Sequence, residues 1–152
     1  MSIQTASKLV SVTPPAAIVD NAAYTTAEID TAGYDYCRIV VYIGATDIAV
    51  AALQVTESDT SGSGHAAITE SVVGTANNDT GSASTLPSAT DDNKFFVFDI
   101  DLRGRKRYLD LNLTAGDGSA GTFAAAHAEL SRADIGDGKA SDQSDVGQRM
   151  VF

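Results

Sequence analysis

The stretch DIDLRGRKRYLDL, residues 99–111, concentrates positive charge in an otherwise acidic chain. It carries Arg103, Arg105, Lys106 and Arg107, four of the ten basic residues in a protein with twenty carboxylates and a formal net charge of −10. Such a cluster can contact nucleic acid, clamp a substrate anion or bind carboxylates of a protein. Three interpretations stay open: ion pairs within the fold, a nucleic-acid contact, and an interface with an acidic protein partner.

The overall charge decides against nucleic acid and acidic membranes, because net repulsion would oppose the approach of either surface. Asp99, Asp101 and Asp110 flank the cluster and are the expected partners if its cations are paired internally. Arginine is enriched in protein interfaces, since its planar fork binds carboxylates bidentately. We therefore carry forward the hypothesis that the four cations and the adjacent Tyr108 form a protein interface.

Residues able to perform covalent or acid–base chemistry are few. His65 follows SGSG and His127 lies in an alanine-rich segment, and neither accompanies a G-x-S-x-G elbow. Cys37 is the single cysteine, which excludes an intramolecular disulfide and a cysteine-based zinc site and predicts a small buried side chain. Asp99 and Asp101 share a strand face, where we expect solvated charges rather than a glycosidase pair. The sequence thus predicts no enzyme activity, no cofactor and no metal site.

Alternation of apolar and polar residues with a period of two dominates the chain and predicts strands. YCRIVVYIG (36–44) is the clearest strand, and AALQVTESD (51–59) is expected to pair with it in a hairpin. KFFVFDIDL (94–102) and KRYLDLNLT (106–114) also alternate cleanly. TFAAAHAELSRA (122–133) contains helix-forming alanines, but its alternation favours a strand.

About eight short antiparallel strands, separated by long Gly/Ser/Thr loops such as 74–93, predict an all-β, single-domain β-sandwich or jelly roll. The sandwich is predicted over 1–133, with 1–22 as an arm or as edge strands. Residues 134–152 are predicted to be a polar C-terminal tail. Its apolar tip is expected to join the interface and consists of Met150, Val151 and Phe152.

Targeting signals are not evident in the chain. MSIQTASKLVSV (1–12) lacks a long apolar stretch, and no segment approaches 18 consecutive apolar residues. The sequence therefore predicts neither a signal peptide nor a transmembrane helix.

Three long phrases resemble a family of small tailed-bacteriophage proteins encoded among virion structural genes. The phrases are EIDTAGYDYCRIVVYIGATD, AALQVTESDTSGSG and FFVFDIDLRGRKRYLDLNLTAGDGSAGTFAAAHAELSRA, and the similarity in order and spacing covers about residues 26–133. The resemblance implies a β-sandwich decoration, or cement, protein of the phage head. It further implies a homotrimer that binds the major capsid protein on the outer surface of the virion, after synthesis in the host cytoplasm.

Two other functions remain open at this point. A tail or neck component of the virion would share the fold but occur in few copies per particle. A glycan-binding β-sandwich would use exposed aromatic residues around an acidic pair. The low aromatic content, 7% with no tryptophan, argues mildly against this third possibility.

Overall fold

Alternating apolar residues build nine strands in the computed structural model, which describes residues 7–132 and 146–152. One short 3₁₀ turn lies at Thr69–Ser71. Within the described residues, no helix is long and apolar enough to cross a membrane. The strands are β1 (Ser7–Thr13), β2 (Ile29–Asp30), β3 (Tyr36–Thr46), β4 (Ala52–Ser58), β5 (Ala66–Ala67), β6 (Lys94–Asp101), β7 (Tyr108–Thr114), β8 (Thr122–Ser131) and β9 (Val146–Val151).

The strand pairing is that of a jelly roll. A five-stranded sheet has the order β1-β8-β3-β6-β9, and a four-stranded sheet has the order β2-β7-β4-β5. Among the first eight strands, β1 pairs with β8, β2 with β7, β3 with β6 and β4 with β5, all antiparallel. This is a long hairpin rolled into two facing sheets. The predicted all-β sandwich is therefore confirmed.

The predicted hairpin between β3 and β4 is wrong. These strands lie in opposite sheets, where β3 pairs with β6 and β8 while β4 pairs with β5 and β7. Alternation identifies a strand and its buried face, but it does not identify the pairing partner, which in a jelly roll is distant along the chain. Of the predicted arm or edge strands in 1–22, the structure shows an edge strand at β1 and, beyond it, an isolated bridge from Val19 to Thr122.

The core lies between the inner faces of the two sheets. Phe96, Phe98 and Ile100 of β6 are buried against side chains of the opposite sheet, as the alternation predicts. Burying one such side chain stabilises the fold by about 1.5–3 kcal/mol. Cys37 is also buried, as predicted, and burial raises the pKa of its thiol to about 12. It therefore packs as a small apolar side chain.

The C-terminal residues 146–152 belong to the five-stranded sheet, which differs from the predicted tail over 134–152. β9 runs parallel to β6, and Met150 lies in the core at 2% exposure. Phe152 packs edge-on against Phe98, with ring centroids 6.4 Å apart. The segment QRMVF is too short for its alternation to predict a strand. The rest of the predicted tail, residues 134–145, lies outside the described residues.

Candidate docking surface

The basic cluster lies in the connection from β6 to β7, where Gly104 adopts a positive φ of 81°. At its ends, two arginines are paired with aspartates. Arg107 donates to Asp30 through Nε and Nη2, each at 2.8 Å, and Arg103 forms a similar bidentate pair with Asp101. Hydrogen bonds from these arginines lower the pKa of each aspartate to about 2. Both carboxylates are therefore held in the charged form.

The middle of the cluster is paired as well. Arg105 places Nη1 3.9 Å from Glu57 Oε1 and Nη2 3.7 Å from Glu70 Oε2, and its guanidinium lies 5.4 Å from the centre of the Phe152 ring. The backbone N–H of Lys106 donates to Glu57 Oε2 at 3.1 Å, and its ammonium lies 3.9 Å from a carboxylate oxygen of Asp59. Carboxylates of the same chain therefore neutralise all four cations.

These contacts change the expected set of partners. Asp101 pairs with the cluster as expected, but Asp99 accepts instead from Arg38, at 2.6 Å, and from Arg149. Asp110 accepts from the hydroxyl of Thr26 at 2.8 Å. Three of the four cations therefore find their partners in other parts of the chain.

The remaining predicted interface residues fall in different environments. Tyr108 is partly buried beneath the Arg107 guanidinium, at 5.0 Å. Phe152 is partly buried beside Arg105, and Val151 is 61% exposed. Met150 is in the core and cannot contribute to a surface, because the alternation of β9 turns it inward. The structure thus brings Phe152 to the cluster but separates Met150 from it.

A different surface carries the exposed apolar residues. We call the outward-facing side of the five-stranded sheet the outer face. Of the seven large apolar side chains that are exposed in the described residues, five lie on it: Leu9, Tyr36, Tyr42, Phe123 and Val151. Tyr42 stacks on Phe95 of the neighbouring strand, with ring centroids 4.6 Å apart. A cross-strand aromatic pair of this kind forms a rigid, apolar platform.

An open groove of about 600 Å³ lies on the outer face beside the Tyr42–Phe95 stack. Ser11 and Thr13 of β1 line one side of it, and its lining in the described residues contains no carboxylate. Thr13 is only 4% exposed, and its hydroxyl has no hydrogen-bond partner among the described residues. A buried polar atom without a partner is costly, so this hydroxyl lowers the stability of the fold.

A second, charged depression of about 610 Å³ lies at the other end of the outer face. It is lined by residues that include Tyr36, Arg38, Asp99, Asp101 and Glu129. Both aspartates are held by arginines, Asp99 by Arg38 and Asp101 by Arg103. Asp99 and Asp101 therefore form ion pairs, whereas the sequence predicted solvated charges at both positions.

The two histidines occupy unrelated places. Glu28 accepts hydrogen bonds from Ser61 Oγ at 2.6 Å and from Gly62 N at 2.8 Å, and its Oε2 lies 2.9 Å from His65 Nε2. Glu28 therefore holds the loop before β5 in place through its bonds to Ser61 and Gly62. The pKa of the Glu28 carboxyl is lowered, chiefly by the hydrogen bond from the Gly62 backbone N–H. His127 is exposed on the outer face. In the described part of the chain, no three potential metal ligands cluster.

The sequence contained a signal for the outer face that the charge pattern obscured. In YCRIVVYIG, Ile39, Val41 and Ile43 point into the core, while Val40 and Tyr42 make the second half of the opposite side apolar too. An apolar pattern on both sides of a strand indicates a sheet covered on both faces.

No family model, curated protein or solved structure matches the chain.

Proposed function

We propose that the protein is a non-catalytic structural module that docks onto another protein through its outer face. The observation that carries the proposal is the apolar groove that Leu9, Tyr42 and Phe95 line on the outer face, on a sheet whose other side already covers a full core. Exposed apolar patches of this kind mark interaction sites.

The proposed partner is the major capsid protein of a tailed bacteriophage, on the outer surface of the head. Support comes from the resemblance of the three quoted phrases to phage virion proteins. The jelly roll also recurs in viral capsid domains, although it hosts lectins as well. A net charge of −10 suits an outward position better than contact with packaged DNA.

The mechanism follows from selective binding. A module that binds the assembled shell, and not free subunits, stabilises the shell by mass action. Each copy that crosses a boundary between subunits adds contacts that expansion of the shell must break. No bond-making step is required of any residue.

The test is the copy number of the protein in purified particles, measured by quantitative mass spectrometry against the major capsid protein. A ratio near one is expected for a protein that covers the head. A ratio of a few per hundred would assign it to the neck or tail, and absence from particles would overturn the virion proposal.

Glycan binding is a second candidate because Tyr36 borders the charged depression beside Asp99 and Asp101. An exposed aromatic ring next to polar groups can stack on a sugar. Titration with glycans, followed by chemical-shift changes at Tyr36, separates the two functions. Shifts at Tyr36 favour glycan binding, whereas a silent Tyr36 leaves docking as the function.

A further inference from the structure

The edges of the two sheets are protected unequally. β2 and β5 are only two residues long, so they offer little backbone for pairing. The outer edge of β9 is covered by the long loop before β6: Asp79 N donates to Arg149 O at 2.9 Å, and the Gln148 side chain exchanges hydrogen bonds with the backbone of Thr85 at 2.8 and 2.6 Å. Three of the four edges are therefore short or covered.

β1 is the exception. It is seven residues long and terminates the five-stranded sheet. Beyond its pairing with β8, it makes one backbone hydrogen bond within the described residues, from Ala27 N to Val12 O at 2.9 Å. A bulge between Ser11 and Thr13 ends the regular part of the strand. Nothing else in the described ranges 7–132 and 146–152 pairs with residues 7–11, so this edge is able to accept another strand.

The sequence of this edge is self-complementary. Leu9 pairs in register with Glu129, which faces outward, so the outward side chains of residues 7–11 are Ser7, Leu9 and Ser11. This pattern is symmetrical about Leu9. In an antiparallel pair of two identical strands centred there, Leu9 would face Leu9 of the second copy and Ser7 would face Ser11. Two leucines that are each 73% exposed would then cover one another.

Charge also favours a second copy at this place. Two chains with a net charge of −10 repel one another over most of their surfaces. β1 contains one lysine and no carboxylate, and the adjacent groove lacks carboxylates among its described lining residues. Antiparallel pairing of β1 therefore brings no acidic side chains of the two edges directly opposite each other.

We propose that two copies of this chain associate through antiparallel pairing of β1, with a two-fold axis at Leu9. The pairing joins two five-stranded sheets into one ten-stranded sheet and doubles the continuous outer face. Such an isologous contact closes as a dimer, in contrast to the trimer that the family resemblance implies. The proposal goes beyond the docking function, because it concerns the free protein.

The experiment uses the full chain and three variants. Wild type is followed by sedimentation velocity from about 10 μM to about 1 mM, since a contact of five residues per copy is small and associates weakly. Leu9→Glu and Leu9→Lys each place like charges opposite one another and should weaken dimerisation ~tenfold or more. Val151→Glu, an exposed position on the same face at the opposite edge, is the matched control. Circular dichroism checks that each variant is folded.

The decisive sample is an equimolar mixture of Leu9→Glu with isotope-labelled Leu9→Lys. Native mass spectrometry should show heterodimers well above either homodimer, because residue 9 faces itself across the axis. A monomeric wild type over the whole range, a trimer, or dimers unaffected by both Leu9 variants would overturn the proposal. Absence of heterodimer in the mixture would equally overturn the two-fold register. None of these outcomes depends on attachment to capsids.

Discussion

The basic cluster and the outer face differ in how completely their groups are satisfied. In the cluster, each of the four cations lies within 4 Å of a carboxylate of the same chain. On the outer face, Leu9, Tyr42 and Phe123 expose 40–73% of their surface. The cations of the cluster therefore already have partners within the chain, whereas the exposed apolar side chains gain most from contact with another molecule.

This difference shows that conspicuous charge in a sequence does not by itself identify an interface. Arg107 lies 77 residues from Asp30 along the chain, and only the fold brings them together. Exposed ion pairs contribute little free energy, so their presence says little about function. An apolar outer side of a strand is the more informative feature, because water penalises it in the isolated molecule.

Substitutions on the two sides of β9 should differ most in their effect on the free energy of unfolding. Met150→Ala is expected to lower the free energy of unfolding by about 2–5 kcal/mol, because it removes a buried side chain from the core. Val151→Ala, at the adjacent exposed position, should change it by less than about 0.5 kcal/mol. Urea denaturation measures both values. Equal effects would contradict the placement of β9 in the sheet.

Acid should remove the stability that the Asp30–Arg107 ion pair contributes. Arg107 lowers the pKa of Asp30 from 3.8 to about 2. Because this folded-state pKa lies below the unfolded value, the stabilisation is present above about pH 4 and is lost as the pH falls towards 2. The urea midpoint should fall over this interval, and Asp30→Asn should make the fall shallower. A midpoint that is unchanged between pH 4 and 2 would contradict the pairing.

Reversing one charge within the cluster should have a smaller effect. Arg105→Glu places a carboxylate beside Glu57 and Glu70, and we expect a loss of about 1 kcal/mol in the free energy of unfolding. Arg103→Glu, at a far more exposed position, should cost less. Urea denaturation at low salt compares the two variants. The reverse order would contradict the pairing of Arg105 with Glu57 and Glu70.

A change of similar size, but opposite in sign between the two variants, should distinguish two buried threonines. Thr13→Val should raise the free energy of unfolding by about 1 kcal/mol, because it removes a buried hydroxyl without a partner among the described residues. Thr122→Val should lower it by about the same amount, since the Thr122 hydroxyl lies 2.7 Å from that of Thr46. Thermal unfolding measures the difference. A loss in both variants would show that the Thr13 hydroxyl is bonded.

The sequence predicted the elements of the fold better than their arrangement. Alternation correctly predicted strands at β6 and β8, the latter despite its alanines. It could not identify partners, because the pairing of β3 with β6 joins residues about 60 positions apart, such as Arg38 and Asp99. It also missed β9, whose parallel pairing depends on β6 and not on a local pattern.

The most direct test compares attachment of two double variants to phage particles that lack the protein. Tyr42→Asp with Phe123→Asp changes the outer face, and Arg105→Glu with Arg107→Glu changes the basic cluster. Both are assayed by co-sedimentation with the particles, under conditions where circular dichroism shows folded protein. The outer-face variant is expected to lose attachment, while the cluster variant retains it. Retained attachment of the outer-face variant, with loss in the cluster variant, would contradict docking through the outer face.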